Sequence, residues 1–259
     1  MGCNAGSMTS TPVSSIRHIL VLKADRFRCD ALRHSAQIVF PGSVVAIANR
    51  MVEARAALSA DVFDLLVTGV VLLDGDVLDL VAACTEGLRR ARRVLIVTGR
   101  TDSRVLGSLR VLPIDGVFDP LSEGMDAFEV ALNAIAAGRT YWSASVLERL
   151  ASPAHTFASV CRILSPTEQL VFAVIGGGTD DRAAAEQLGM KPSSIQTVRR
   201  SLHHKLGVQH KGDLVRLAAQ YGFVQFTPDG VVRPGFAQLL AARRPSKTRD
   251  GRLGAVAPA

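Results

Sequence analysis

The sequence has few aromatic residues and no long apolar segment. Phe, Trp and Tyr make up 5% of the 259 residues, with one Trp and two Tyr. No run of about 18 apolar residues occurs, so we expect no membrane-spanning helix. The first 15 residues lack the basic and apolar segments of a secretory signal. These absences predict a cytoplasmic protein.

Cysteine is too sparse to build a disulfide framework. Cys3, Cys29, Cys84 and Cys161 show neither CxxC nor Cys/His spacing, so we expect reduced, buried or half-buried thiols. Catalytic patterns are missing too, because no Ser/His/Asp, metal-binding or Walker-type constellation occurs. The sequence therefore predicts no enzyme, no metal site and no cofactor.

Positive charge is concentrated in the second part of the chain. Residues 1–160 contain 16 Lys and Arg against 16 Asp and Glu, whereas residues 161–259 contain 14 against 7. The whole net charge of +7 therefore lies after residue 160. Such a distribution is typical of a nucleic-acid-binding module, although five of these cations belong to the last 17 residues and a basic tail alone contributes part of it.

Residues 191–207, KPSSIQTVRRSLHHKLG, have the pattern of an amphipathic helix. Pro192 fits the first turn, and Ser193 and Ser194 can accept hydrogen bonds from the free N–H groups there. Gly207 suits the left-handed position at the end. The apolar stripe consists of Ile195, Val198, Leu202 and Leu206. The opposite face carries Gln196, Thr197, Arg200 and His204.

Residues 16–140 alternate short apolar runs with amphipathic stretches. The runs are 19–22, 44–48, 65–68, 94–98 and 114–118, separated by helical patterns at about 26–37, 50–59, 76–90, 102–110 and 123–138. Five strands alternating with five helices predict a parallel sheet that is covered on both faces. The order fits a flavodoxin-like doubly wound α/β domain, whose strands end at an edge where a small ligand could bind.

The remainder predicts a linker, a helical domain and an extension. Residues 141–162 mix Ser and Ala with one Pro and read as the linker, with a short helix near 144–150. Residues 163–223 open with a capping box at Ser165 and contain four helical patterns, including a helix-turn-helix unit. Residues 224–259 form a C-terminal extension, with a hairpin turning at 228–230 and a disordered part from Ala241.

The α/β segment resembles the receiver domain of NarL/FixJ response regulators, most closely at residues 134–146, AIAAGRTYWSASV. The resemblance implies an aspartate that accepts a phosphoryl group at the end of the third strand, Mg²⁺ held by carboxylates, and a lysine near the fifth strand. At these positions the chain instead carries Lys23, Ala24, Gly69, Asp119 and Pro120, and only Thr98 matches the family.

These replacements predict a pseudo-receiver that does not take up phosphate. A displaced acceptor is the alternative, at Asp25, Asp74, Asp76 or Asp79, although acidic residues at such places are also expected as helix caps. The domain would then be controlled by constitutive dimerisation through its fourth and fifth helices, by a small ligand or by a partner protein.

Residues 165–208 resemble the LuxR-type DNA-binding domain, as part of a match without gaps over about 58 residues. The matching features are the Ser-Pro-x-Glu opening, Gly178, Ala185 and the sequence Lys-Leu-Gly-Val at 205–208. The resemblance implies base reading by Gln196, Thr197 and Arg200. It implies phosphate contacts by Ser193, Ser194, Arg199, His204 and Lys205. Departures at Leu170, Ala184 and Val198 leave the operator sequence unpredictable.

The fourth helix of this family commonly pairs two reader domains. Leu214, Val215 and Ala218 are therefore dimerisation candidates, with plain core burial as an equal alternative. The whole sequence predicts a homodimeric transcription regulator that binds double-stranded promoter DNA. The alternative is an interaction or anti-regulator protein, in which the helix-turn-helix is mainly a contact surface. A conventional, phosphorylated regulator is the third hypothesis.

Overall fold

The computed structural model describes residues 16–86, 91–100, 102–151, 160 and 162–243. Its first part is a parallel sheet of six strands: β1 (His18–Leu22), β2 (Val44–Ala48), β3 (Leu65–Thr68), β4 (Val94–Val97), β5 (Gly116–Phe118) and β6 (Tyr141–Trp142). The helices among and after them are α1 (Arg26–Val39), α2 (Met51–Ala60), α3 (Val77–Glu86), α4 (Ser103–Leu109), α5 (Met125–Ala136) and α6 (Ala144–Ala151).

The strand order β2-β1-β3-β4-β5-β6 confirms the predicted doubly wound α/β architecture. Helices α1 and α5 cover one face of the sheet, whereas α2, α3 and α4 cover the other. Since both faces are covered, the central strands are apolar without alternation, and all four residues of β3 and of β4 are buried.

The sheet has one strand more than the sequence predicted. Tyr141 and Trp142, assigned to the linker, pair in parallel with Gly116 and Val117. The approach is so close that a Cβ on Gly116 would lie 2.3 Å from the carbonyl oxygen of Tyr141, which explains the glycine. The predicted short helix near 144–150 corresponds to α6, and linker residues 152–159 and 161 lie outside the described residues.

A helical bundle follows the sheet and confirms the predicted helix-turn-helix unit. It comprises α7 (Pro166–Ile175), α8 (Asp181–Leu188), α9 (Pro192–Leu206) and α10 (Lys211–Gln220). Helix α7 begins with the predicted capping box, in which Ser165 and Glu168 each accept the other's backbone N–H. Gly189, at φ 60°, makes the tight turn between α8 and α9 in the left-handed conformation that favours glycine.

The C-terminal extension is more ordered than the sequence predicted. The predicted hairpin is formed by β7 (Gln225–Thr227) and β8 (Gly230–Val232), which pair antiparallel. Helix α11 (Phe236–Arg243) then packs its Phe236 and Leu239 into the bundle core. The prediction of disorder from Ala241 is therefore wrong for residues 241–243, because this helix has an apolar surface to cover, and residues 244–259 lie outside the described residues.

The extension also contacts the α/β unit, through the buried guanidinium of Arg104 on α4. This side chain donates to the carbonyl oxygens of Gly222 at 3.1 Å, of Gly235 at 3.3 Å and of Pro234. Its guanidinium carbon lies 4.9 Å from the ring centroid of Phe223. One side chain from the sheet domain thus satisfies three backbone acceptors on the segment that leaves the bundle.

Two acidic residues of the α/β unit also bind this segment. Asp76 accepts from the backbone N–H of Gly235, and Asp79 accepts from that of Ala237 at 3.4 Å. Burial raises the pKa of Asp76 to about 7 despite the hydrogen bonds that it accepts, and it also raises the pKa of Asp79. The contact therefore consists of one buried guanidinium and two half-buried carboxyl groups, all of which bind backbone atoms.

None of the described helices is both long and apolar enough to span a membrane. Cys29 is a free and buried thiol, as predicted, and burial raises its pKa. The side chains of the other three cysteines lie outside the described part of the chain.

We expect Arg104→Ala to release the extension from the α/β unit. The substitution leaves three carbonyl oxygens without their donor and two half-buried carboxyl groups without a nearby positive charge, which costs about 3 kcal/mol. Amide hydrogen exchange of residues 225–243 should accelerate accordingly. Arg110→Ala, at the exposed C-terminal end of the same helix, is the matched control and should leave the exchange unchanged. Equal protection in both variants would contradict the proposed contact.

Candidate functional site

Helix α9 is the element on which the sequence placed the candidate nucleic-acid contacts. Its N-cap is Lys191, and no side chain of the described residues accepts a hydrogen bond from the free N–H groups of the first turn. The expectation that Ser193 and Ser194 accept these bonds is therefore not met. Its C-cap is Gly207 at φ 67°, as predicted. Ile195 and Leu202 are buried in the bundle, which fixes the rotation of the helix.

The three predicted base-reading side chains, Gln196, Thr197 and Arg200, are all exposed on the side opposite to that core. Thr197 donates its hydroxyl to the carbonyl oxygen of Ser193 at 3.0 Å, which leaves its methyl group and an oxygen lone pair outward. No hydrogen bond or ion pair within the described residues engages the guanidinium of Arg200. The α9 face therefore offers donors and acceptors of the kinds that bind base edges.

Two of the five predicted phosphate-binding residues are engaged within the protein. Arg199 pairs with Asp181 of α8 at 3.0 Å, and Lys205 pairs with Glu168 of α7 at 2.8 Å. Lys205 also donates to the carbonyl oxygen of Ile163 at 2.9 Å. These two cations attach α9 to the neighbouring helices, because their carboxylate partners lie on α8 and α7. Of the other three, Ser193 and His204 are exposed and Ser194 is half-buried.

Glu168 is the centre of this attachment. Its carboxylate accepts from the Ser165 backbone N–H, from the Ser201 hydroxyl at 2.7 Å and from the Lys205 ammonium. Burial alone would raise the pKa of Glu168, but these bonds outweigh burial and lower it to about 2. One ionised carboxylate therefore caps α7 and holds the middle and the end of α9.

The dimerisation candidates on α10 differ in exposure. Leu214 and Ala218 are fully buried in the bundle core, so they cannot provide the outer surface of a dimer contact. The alternative of plain core burial applies to these two residues, because α10 packs this side against α7. Val215 is half-buried and stays a candidate.

The six residues of the predicted degenerate phosphorylation site meet at the carboxyl edge of the sheet. Five of them line one cavity of about 680 Å³: Lys23, Ala24, Gly69, Thr98 and Pro120. The Lys23 side chain takes the space beside Gly69, since a Cβ on that glycine would lie 3.3 Å from the lysine Nζ. Its ammonium donates to the carbonyl oxygen of Val97 at 2.7 Å.

Asp119, the sixth residue, is fully buried and does not line the cavity. Its carboxylate accepts from the backbone N–H of Leu121 at 3.0 Å, from Ser145 at 2.8 Å and from Arg149 at 3.1 Å. Burial would raise the pKa of Asp119, but these donors and the charge of Arg149 lower it. This carboxylate thus attaches α6 to the end of β5.

The acidic residues considered as displaced acceptors hold backbone N–H groups. Asp25 caps α1, Asp74 accepts from Met51 at 2.7 Å, and Asp76 accepts from Leu78 at 2.9 Å. Asp76 and Asp79 also form the contact with the extension. Their positions agree with the cap and dipole roles that the sequence offered as the alternative.

The fold, a parallel α/β domain followed by a helical domain, is similar to that of solved response regulators. A similar solved structure is RcsB from Salmonella enterica serovar Typhimurium bound to promoter DNA with the phosphomimetic BeF3−. Its TM-score is 0.53 at 19% identity, over 78% of this chain and 97% of that chain. A structure of two RcsB dimers bound to two parallel DNAs gives a TM-score of 0.52 at 18% identity, over 79% and 98%.

Sequence similarity is more limited. The chain is 30% identical over 99 residues to the transcriptional regulatory protein MctR of Rhizobium johnstonii. This match covers 38% of the chain and 45% of MctR, so it spans less than half of that relative. No family model matches the sequence.

Glu168→Gln should destabilise the helical bundle at neutral pH. Because the folded pKa of about 2 lies below the ordinary value of 4.5, the ionised group stabilises the fold above pH 4.5. That contribution, at most about 3 kcal/mol, is lost as the pH falls from 4.5 through 2. Urea unfolding followed by circular dichroism should therefore show a large decrease in the free energy of unfolding at pH 7 and a smaller decrease at pH 3.

The matched control for this prediction is Glu186→Gln, because Glu186 is an exposed carboxylate whose recorded ion pair, with Arg182, lies at 3.6 Å on the surface. We expect this variant to stay within about 0.5 kcal/mol of the parent. A Glu168→Gln protein as stable as the control at pH 7 would show that the buried network contributes nothing. Fluorescence of Trp142, the single Trp, follows the α/β unit separately.

Proposed function

We propose that this protein is a sequence-specific, DNA-binding transcription regulator that works in the cytoplasm, rather than an enzyme. Its α/β domain is controlled without aspartyl phosphorylation. The observation that carries the proposal is the α9 face, where Gln196, Thr197 and Arg200 are exposed on a helix whose opposite side is buried in the bundle. Its proposed domains are residues 16–140, to which the structure adds β6 at 141–142, and residues 163–223, followed by an extension from 224. The linker proposed at 141–162 therefore begins after β6.

Several features support DNA as the partner. The positive charge of the chain lies after residue 160, and the solved RcsB structures of the same fold are complexes with DNA. A helix that enters the major groove needs side chains that are free to bind bases. Within the described residues, the Arg200 guanidinium makes no hydrogen bond or ion pair and so meets this requirement. Ser193, Ser194 and His204 remain as phosphate contacts, whereas Arg199 and Lys205 contribute mainly by holding α9 in place.

The residues at the sheet edge support control without phosphate. Gly69 follows β3 where a nucleophile would be needed, and the Lys23 ammonium is beside it instead of a carboxylate for Mg²⁺. Asp119 replaces the lysine that would balance the phosphate charge, and it is already paired with Arg149. Restoring phosphoryl transfer would require at least three substitutions that change the charge at the carboxyl edge of the sheet, at Lys23, Gly69 and Asp119.

A dimer fits this function as well. Val215 on α10 is a half-buried apolar residue at a position where two helical domains could pair. The solved relative is described as two dimers on DNA. Two-fold pairing would place two half-sites about 10 bp apart, or at a spacing set by the dimer.

Arg200→Ala should reduce binding to duplex sites that the wild-type protein selects from a random library. Loss of one bidentate base contact costs roughly 1–3 kcal/mol, so the Kd should rise about 5- to 150-fold. Arg33→Ala removes an equal charge from an exposed position on α1 and should bind like wild type. Fluorescence anisotropy at fixed salt measures both variants.

Two results would count against the DNA-binding proposal. Equal affinity of the Arg200→Ala and Arg33→Ala proteins would remove α9 as the reading helix. A wild-type protein that selects no sequence would favour the alternative function, in which the helix-turn-helix is mainly a protein contact surface.

Acetyl phosphate with Mg²⁺ should leave the mass of the protein unchanged. The reaction needs an accessible carboxylate beside a metal site, and the acidic groups near the sheet edge already accept backbone N–H groups or pair with arginines. Intact-protein mass spectrometry measures the outcome, with a conventional receiver as the positive control. A phosphoaspartate mapped to Asp25, Asp74, Asp76 or Asp79 would establish the displaced-acceptor alternative.

A further inference from the structure

The cavity at the carboxyl edge of the sheet has the size and lining of a small-molecule site. Its volume of about 680 Å³ lies within the range of roughly 300–1,000 Å³ that is usual for such sites. Its apolar lining comes from both sides of the sheet edge and from the β5–α5 loop: Leu32, Val70, Val97, Phe118, Leu121 and Phe128. Leu121 is 74% exposed at the rim, so apolar surface continues from the walls to solvent.

Lys23 supplies a cation within this apolar lining. The residue is 9% exposed. Within the described residues, its Nζ donates to one acceptor, the carbonyl oxygen of Val97. An ammonium carries three N–H donors, so two are left for another acceptor. No carboxylate of the described residues lies within 4.0 Å of this Nζ. Burial, followed by the charge of Arg28, lowers the pKa of Lys23 to about 8, so the group is mainly charged at pH 7.

The acidic side chains that line the cavity are already used. Asp25 accepts from the backbone of Phe27 and Arg28 at the start of α1, and its second oxygen lies 3.5 Å from the Arg28 Nε. Glu123 accepts from the hydroxyl groups of Tyr141 and Ser143. The two other cations of the lining are paired within the protein, Arg28 with Asp25 at 3.5 Å and Arg100 with Asp102 at 2.6 Å. Lys23 is therefore the cation of the lining whose charge is left for a ligand.

We infer that this cavity binds a small organic acid with one carboxylate and an apolar body, and that the Lys23 ammonium binds the carboxylate. A single buried cation balances a single negative charge, whereas a phosphate dianion would bring a second charge toward Asp25 and Glu123. The walls beyond Lys23 favour apolar atoms. The inference deepens the proposed function, because it rests on the assumption that the domain takes a signal other than phosphate.

The cavity also contacts the second part of the chain. Gln225 of β7 lies in its lining and accepts from the guanidinium of Arg100, whose Nε donates to Asp102 at 2.6 Å. A ligand would therefore contact a side chain of the extension as well as the α/β unit. Through this contact, occupancy of the cavity can change the position of the hairpin and, with it, the arrangement of the helical bundle.

The test uses the full chain with a panel of monocarboxylates, from acetate to phenylacetate and decanoate, followed by calorimetry and thermal shift. We expect saturable binding by at least one acid with an apolar body. Phenylacetamide, the neutral counterpart of phenylacetate, and inorganic phosphate should each bind at least tenfold more weakly than that acid. Absence of binding by every acid, or equal binding of the amide or of phosphate, would overturn the inference.

Two substitutions test the role of Lys23. Lys23→Met should weaken binding of the acid at least tenfold while raising the melting temperature of the ligand-free protein, since it removes a buried charge. Gly69→Asp should also weaken binding, because it places a carboxylate beside the Lys23 ammonium. Arg33→Ala is the control for altered charge and should bind like wild type. Unchanged affinity in folded Lys23→Met protein, checked by Trp142 fluorescence, would contradict the assignment.

None of these measurements uses DNA, so a failed Arg200→Ala prediction would leave the ligand inference standing. Conversely, a protein that binds no acid could still read DNA through α9. The two proposals therefore fail separately.

Discussion

The structure depends on covering helix α7 on every side. All six residues from Leu170 to Ile175 are buried, so this helix has no face that it could leave in water. Helices α8, α9 and α10 cover part of its surface, and α11 with the β7–β8 hairpin covers another part. Phe223, just before the hairpin, packs against Phe172 of α7 with ring centroids 4.9 Å apart. The extension is consequently part of the fold of the bundle.

The same requirement explains how the two parts of the chain are joined. To reach the side of α7 that the other bundle helices leave uncovered, the extension passes along α3 and α4 of the α/β unit. There its backbone meets Arg104, Asp76 and Asp79. The cavity at the sheet edge lies next to this path, through Arg100 and Gln225. The proposed signal site and the proposed reading helix are thus connected by one segment that packs against both parts.

Much of the fold could be predicted from periodicity. Buried strands read as apolar runs, amphipathic helices read as three- and four-residue repeats, and caps such as Ser165 and Gly207 mark where helices begin and end. Strand β6 was not predicted, because a strand of two residues is too short to show a periodic pattern. Helix α11 of the extension was not predicted because its amphipathic pattern is weak, whereas the hairpin before it was. The run Leu170–Ile175 was the available signal, since a short helix that is apolar all round requires an additional covering element.

The candidate site was predicted unevenly, for a physical reason. Helical spacing alone placed Gln196, Thr197 and Arg200 outward, because rotation along one helix is a local property. The engagement of Arg199 and Lys205 depends on partners 18 and 37 residues away, Asp181 and Glu168, which only the tertiary fold brings near. The same holds for Lys23 beside Gly69, which are 46 residues apart along the chain. Sequence patterns show which groups are available, whereas packing decides which of them are used.

The identity of the partners at the Arg104 contact has a consequence for how this chain can diverge. Arg104 binds peptide oxygens, and Asp76 and Asp79 bind peptide nitrogens, so neither side recognises a side chain on residues 234–237. Every amino acid supplies a peptide oxygen, and every one except proline supplies the N–H. The side chains at positions 234 and 237 can therefore be exchanged during evolution without breaking these bonds, provided that the backbone keeps its path, whereas Gly235, at φ 65°, favours glycine. The three charged residues on the sheet side have no such freedom.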